Sequence, residues 1–324
     1  FYSAGIHTNH GLYATLYSFP AMMKRNLMKG SVIPRYSGLP TVLKENGYYN
    51  LFFMTHEGQY DNMNAFFRTN GYDEVFSQED YPVDKVVNSF GVQDDFLYDY
   101  AIPVLNQRAA TGQPFFATLL SISNHPPYVI PPFFHPKTSE PEMQIVEYAD
   151  WALRQFFEEA RKQPWFDNTI FVLEGDHGKL VGDAECELPE SYNHIPLMIY
   201  SSRIQPEEKT AFGGQVDIQP TILGLLNIDY LQNNFGVDLL KEERPCMFYT
   251  ADNMVVGRND TLLYLYNYET QQELTYDIGN GKLNAVPMDD SFFPLKEYSF
   301  SMLQSAEFLV KHGKTLNSIP FTQQ

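Results

Sequence analysis

The sequence predicts an α/β protein with a mainly parallel central sheet, followed by a small antiparallel subdomain. Three observations carry this. The apolar runs 48–56, 114–123, 168–176 and 194–202 have the length and aromatic or β-branched content of buried strands. Helical periodicity fills the gaps between them. Strands alternating with helices imply parallel pairing with both sheet faces covered. After about residue 240 the pattern changes to apolar–polar alternation broken by Gly, Asn and Asp, which reads as an antiparallel meander. The expected domains are therefore 1–240 and 241–324.

The elements follow in order. "GLYATLYSF", within 5–20, has helical spacing, and Thr8 just before it has the chemistry of an N-cap. "YYNLFFMTH" (48–56) follows Gly47 and reads as a strand. Residues 93–110 carry acids in the first turn of a helix that Pro103 is expected to kink. "PFFATLLSIS" (114–123) is the next strand, and 146–163 is a strongly amphipathic helix. "NTIFVLEGD" (168–176) and "HIPLMIYSS" (194–202) complete the set of buried runs. A shorter helix is expected over 217–227, the meander over 247–282, and a last helix over 299–314 with Gly313 near its end. No internal repeat or low-complexity tract interrupts them.

Composition narrows the function. The 324 residues are 44% hydrophobic and 15% aromatic, enough for a sizeable core. A formal net charge of -18 repels polyanions, which disfavours nucleic-acid binding and a basic membrane-docking face. Cys186 and Cys246 have no neighbours at zinc-finger spacing; they pair in an oxidising compartment or stay free. No apolar run reaches the ~18 residues of a membrane span. The opening "FYSAGIHTNH" lacks the features of a signal peptide, and the chain reads as a soluble piece of a longer protein.

The chemistry is expected at the carboxyl ends of the strands, where α/β sheets bind ligands. His56 follows "FFMT", Asn124 and His125 follow "LLSIS", and Asp176 and His177 follow "FVLEG". A single Asp-His pair after a strand also serves as a cap or a satisfied loop pair. Three such ends in one chain point to a metal or phosphate site. Glycines beside Asp176 and His177 allow close approach of backbone and ligand. His194 opens a strand and is equally readable as substrate-binding or structural; His135 and His312 read as solvated. Thr8 is the candidate nucleophile, because a helix start favours an anion and a metal-bound hydroxyl ionises more easily. Thr15 lies inside the helix and is a poorer candidate.

The segments "HTNHGLYATLYSFP", "GYYNLFFMTH", "GVQDDFLYDYAIPVL", "TLLSISNHPPY", "FVLEGDHG", "HIPLMIY" and "DIQPTILGLL" occur in an order that resembles the sulfatase-like branch of the alkaline phosphatase superfamily. Within it they look most like lipoteichoic acid synthases and related phosphoglycerol transferases. The resemblance implies an alkaline-phosphatase-like sandwich over about 1–240. It implies that Thr8 is nucleophile and metal ligand, that Asp176 and His177 are further ligands, and that His125 contacts the phosphate group. His56, with Asn124 and His194, would bind substrate. The ion would be divalent, manganese first, with zinc or magnesium as alternatives.

The implied reaction is transfer of phosphoglycerol from a phospholipid headgroup through a phosphothreonine, with a glycan as another possible substrate. A hydrolase with water as acceptor and a catalytically silent envelope-binding ectodomain are the rival readings. Membrane helices would precede this segment and place it outside the cytoplasmic membrane. The family also supplies a metal-ligating Glu from a strand ahead of the Thr. No segment here matches it, and neither Glu174 nor Glu57 takes its place, so weak metal binding and a sheet edge open to another segment are expected. The aromatic and basic residues that follow the strand-end His in lipoteichoic acid synthases do not match "THEGQYDNMNAFF". "HTNHG" lacks the Cys, Pro and Arg of a true sulfatase signature, which disfavours sulfate-ester hydrolysis.

Overall fold

A computed structural model describes residues 1–30 and 32–317. Helix α1 spans Thr8–Tyr17 and α2 Leu39–Glu45; strand β1 (Tyr49–Met54) leads through α3 (Met63–Thr69) to β2 (Glu74–Phe76). Helix α4 (Asp94–Ala109), β3 (Phe115–Leu120) and α5 (Pro141–Ala160) come next. Then follow β4 (Phe171–Glu174), β5 (Leu197–Tyr200) and α6 (Ile218–Leu225). The last third holds β6 (Met247–Thr250), β7 (Met254–Arg258), β8 (Leu262–Asn267), β9 (Gln272–Asp277), β10 (Asn284–Ala285) and α7 (Phe293–Lys311).

The chain forms two compact units. The first holds Phe1–Leu39, Phe171–Tyr200 and the chain from Gln205 onward; the second holds Pro40–Ile170 and Ser201–Ile204.

In the second unit, β1 lies between β2 and β3, and both pairings are parallel. The sequence explains why β1 is central. Leu51, Phe52, Phe53 and Met54 are all buried, as a strand covered on both faces requires. Phe52 stacks on Phe67 of α3 at 4.1 Å between ring centres, and Phe53 stacks on Phe76 of β2 at 4.8 Å. Each buried Phe contributes roughly 1.5–3 kcal/mol. Helix α4 runs unbroken through Pro103, and α5 starts at Pro141, earlier than its periodicity implies, because proline suits the first helical turn.

In the first unit, β4 and β5 pair with each other antiparallel, with Glu174 opposite Leu197. The alternation of strands had implied parallel pairing here. A parallel return needs a crossover, usually an α-helix, and the acidic segment between β4 and β5 contains only the 3-10 turn Glu190–Tyr192. The meander is present as expected: β6 to β10 form one antiparallel sheet in the order β10-β9-β8-β7-β6. Residues 1–3 run as a short extended piece, bridged through Tyr2 to His194 on one side and Gly214 on the other. A buried ion pair holds α6: Arg244 donates from Nε and Nη2 to Asp217, which is fully buried, and from Nη1 to the Tyr298 hydroxyl of α7.

Candidate active site

Each unit carries its own set of candidate residues. In the first unit, Thr8 is half-buried and is the first helical residue of α1, with His7 before it as N-cap in extended backbone. This corrects the expected cap by one position: the His7 carbonyl accepts the first helical bonds, from His10 N at 2.9 Å and Gly11 N at 3.2 Å. The Thr8 hydroxyl therefore has no capping duty.

Helix α1 docks on the end of β4. At Gly11 it approaches the Asp176 carbonyl so closely that a Cβ would collide with that oxygen. One turn on, Thr15 Oγ1 donates to Glu174 Oε1 at 2.5 Å. Glu174 is half-buried with its Oε2 shielded from solvent and without a hydrogen-bond partner among the described residues, and loss of solvent around the carboxyl pushes it up to about 8. Its Oε1 is thereby tied to α1. Gln215 fastens the other side. Its Oε1 accepts from Ala4 N at 2.8 Å, and its Nε2 donates to the carbonyls of Gly175 at 3.1 Å and Asp176 at 2.8 Å.

The next two side chains are pre-arranged. Asp176 Oδ1 accepts from His177 N at 2.9 Å, which leaves Oδ2 free. The Gly178 carbonyl lies 2.7 Å from His177 Nδ1, so that nitrogen donates and Nε2 is the acceptor of the neutral ring. Oδ2 and Nε2 are 3.6 Å apart. Two ligands of one tetrahedral ion with ~2.1 Å bonds sit ~3.4 Å apart. The donor types, the tied-back second atoms and this separation fit a divalent cation. Among the described residues no three His, Cys, Asp or Glu side chains form a cage.

In the second unit, β1 and β3 deliver His56 and His125. Buried Asp94, at the start of α4, accepts from Ile122 N at 2.9 Å and Ser123 N at 3.0 Å, while Ser123 Oγ accepts from Asp94 N at 3.0 Å. This clamp fixes the turn that exposes Asn124 and His125. His125 Nδ1 is held by the Pro126 carbonyl at 2.6 Å and His56 Nδ1 by the Glu57 carbonyl at 3.1 Å. Both rings thereby present Nε2, as His177 does. Tyr60 and Phe90 bridge the two imidazoles, with ring centres 4.7 Å (His56–Tyr60), 6.3 Å (Tyr60–Phe90) and 4.1 Å (Phe90–His125) apart. Gly91, at φ +87°, allows this loop to touch the Thr55 carbonyl. A small pocket beside His125 is walled by Val87, Phe90, Val92, Ile122, Pro127 and Val129.

A family model described as Sulfatase matches residues 1–228. The chain belongs to the sulfatase family. Among curated relatives of this sulfatase-family chain, lipoteichoic acid synthase 1 of Bacillus subtilis is 26% identical over 270 residues, covering 76% of this chain and 40% of the relative. Lipoteichoic acid synthase of Staphylococcus saprophyticus is 26% identical over 235 residues, covering 64% and 35%. The chain thus spans well under half the length of these relatives. An alkaline phosphatase superfamily protein from Vibrio parahaemolyticus superposes with a TM-score of 0.86 at 27% identity, covering 97% of this chain and 78% of that one. Lipoteichoic acid synthase LtaP from Listeria monocytogenes gives 0.80 at 22% identity, covering 96% and 83%. The fold is that of the alkaline phosphatase superfamily, and the protein is an enzyme of its sulfatase branch.

For this sulfatase-family enzyme, sequence reasoning missed Gln215. A glutamine after Gly213 and Gly214 looks like a solvated loop residue, and no pattern marks it as buried. His194 finds partners other than Asp176 and His177: its ring stacks on Tyr2 at 5.1 Å, and burial lowers its basicity.

Burial also holds His56 below the usual imidazole range, against the pull of Asp61, Glu79 and Glu57. An unfolded histidine takes a proton near pH 6.5 (about). Below that pH the unfolded chain binds more protons here than the folded one, so this contribution to stability is complete above about 6.5 and is lost as pH falls. Urea midpoints measured from pH 7.5 to 5.5 are expected to fall more for the wild type than for His56→Gln. Equal slopes would refute the assignment.

Proposed function

We propose that this protein is a divalent-metal-dependent phosphotransferase, of phosphoglycerol transferase type, acting on the phosphodiester of a lipid headgroup through a phosphothreonine at Thr8. The supporting observation is the Asp176–His177 pair, with Oδ2 and Nε2 free and 3.6 Å apart, against which the helix that begins at Thr8 is docked. Thr8, Asp176 and His177 would hold the ion, with manganese the first choice and zinc or magnesium the alternatives. When bound, the ion supplies charge neutralisation at phosphoryl oxygens and a lower pKa for the Thr8 hydroxyl.

The chain's own groups do the rest. The Thr8 oxygen attacks phosphorus, the bond to the leaving alcohol breaks, and that alcohol takes up a proton. A second hydroxyl then reverses the process and frees Thr8. His125 is assigned the phosphoryl oxygens, and His56 and Asn124 the substrate; His194 has the weakest claim to such a role. Similarity to lipoteichoic acid synthases supports the lipid donor and a location outside the cytoplasmic membrane, tethered by a segment ahead of this one. No helix among the described residues is long and apolar enough to cross a membrane.

The test is to mix the protein with manganese and either bis(p-nitrophenyl) phosphate or phosphatidylglycerol, quench in acid, and read the intact mass. A phosphoryl adduct that maps to Thr8 and requires the metal is expected. Metal-independent turnover, or turnover with no adduct at any quench time, refutes the reading.

A further inference from the structure

Gln215 is fully buried, and both polar atoms of its side chain are engaged. Nε2 has two hydrogens and donates to two consecutive carbonyls, Gly175 at 3.1 Å and Asp176 at 2.8 Å. These carbonyls belong to the peptide planes on either side of the Asp176 Cα. Each plane is rigid, so holding both sets φ and ψ of Asp176 and the direction in which its side chain leaves the backbone. The second plane also carries His177 N, which donates to Asp176 Oδ1 at 2.9 Å. One amide therefore fixes the backbone of Asp176 and the N–H that turns its carboxylate.

The brace is anchored at its other end. Gln215 Oε1 accepts from Ala4 N at 2.8 Å, and Gln215 N donates to the Tyr2 carbonyl at 3.1 Å. Asp217 closes the turn that bears Gln215: its Oδ2 accepts from Gly214 N at 2.9 Å, and Arg244 grips the same carboxylate. Helix α1 covers the contact, because a Cβ on Gly11 would lie 2.3 Å from the Asp176 carbonyl oxygen and 3.0 Å from Gln215 Nε2. A buried network with every member satisfied is stiff.

We propose that Gln215 is a positioning residue of the metal centre: its amide sets the backbone of Asp176 and so aims Oδ2 to lie beside His177 Nε2. This rests on the reading of Asp176 and His177 as ligands. Gln215 does not touch the ion. It acts through the 3.6 Å separation of Oδ2 and Nε2, which it holds before any ion arrives.

The test is calorimetric titration of manganese into the full chain as wild type, Gln215→Met, Gln215→Asn and Leu265→Ala, with a thermal melt of each. Methionine keeps the bulk of glutamine but has no hydrogen to donate, and asparagine keeps the amide one methylene short of its partners. Leu265→Ala is the control for lost stability alone, since it truncates a buried side chain in the middle strand of the meander sheet. The dissociation constant is expected to rise about 10–100-fold in both Gln215 variants and to stay within about threefold of wild type in Leu265→Ala, although all three melt lower. Should one Gln215 variant fail to fold, the other carries the same expectation. Affinity within about threefold of wild type in a folded Gln215 variant, or an equal loss in Leu265→Ala, overturns the proposal. A wild type that takes up no manganese instead removes the metal reading on which the proposal rests.

Discussion

Thr8→Ala is expected to be a stable protein that turns over no phosphodiester. The two halves of this result have separate causes. Thr8 is the first helical residue, not the cap, so removing its hydroxyl orphans no backbone N–H. Alanine is the best helix former, and a surface-type change here should cost under about 1 kcal/mol. Loss of a covalent nucleophile, in contrast, lowers turnover on the order of 10⁴–10⁶-fold in enzymes that depend on one. Steady-state nitrophenol release and a thermal melt, run side by side, check both halves. Wild-type rates from the alanine variant would remove Thr8 from the mechanism.

The second large effect is on metal affinity. Asp176→Asn keeps a side-chain oxygen that can still accept from His177 N, so the local turn should survive. It removes the negative charge and the strongest donor of the proposed set. Mutating groups that merely orient ligands costs about 10–100-fold in metal affinity, and a ligand itself should reach the upper end of that range or exceed it. Calorimetric titration of manganese into both proteins measures it. Equal affinities would mean that the ion, if one binds, sits elsewhere.

The sequence shows some of this and hides the rest for physical reasons. Strand β1 is readable because a doubly covered strand has to be a near-continuous apolar run, and the half-buried edge strand β3 carries a similar run. Such a run carries no direction, so the antiparallel pairing of β4 with β5 is invisible in it. Strand β2 is only Glu74–Phe76, and Val75 alone is buried in it, which leaves no periodicity to find. Asp176 and His177 stand out in the sequence as polar groups between glycines at the end of an apolar run. The His7–Asp252 hydrogen bond is not legible, because its partners lie far apart in the sequence. The one-residue shift of the cap from Thr8 to His7 lies within the resolution of any pattern argument.

The interleaving of the two units has a consequence for biosynthesis. Chains emerge from the ribosome amino end first, and compact units fold as they become complete. Residues 40–170 make up nearly all of the second unit and emerge as one block, so that unit can condense while translation continues. Thr8 is made before that unit, and Asp176 and Gln215 after it. A polypeptide interrupted in mid-synthesis therefore carries the threonine without the groups that hold its helix in place. On the proposed mechanism, reactivity toward phosphodiesters follows only once Asp176 and Gln215 have been made and packed against that helix.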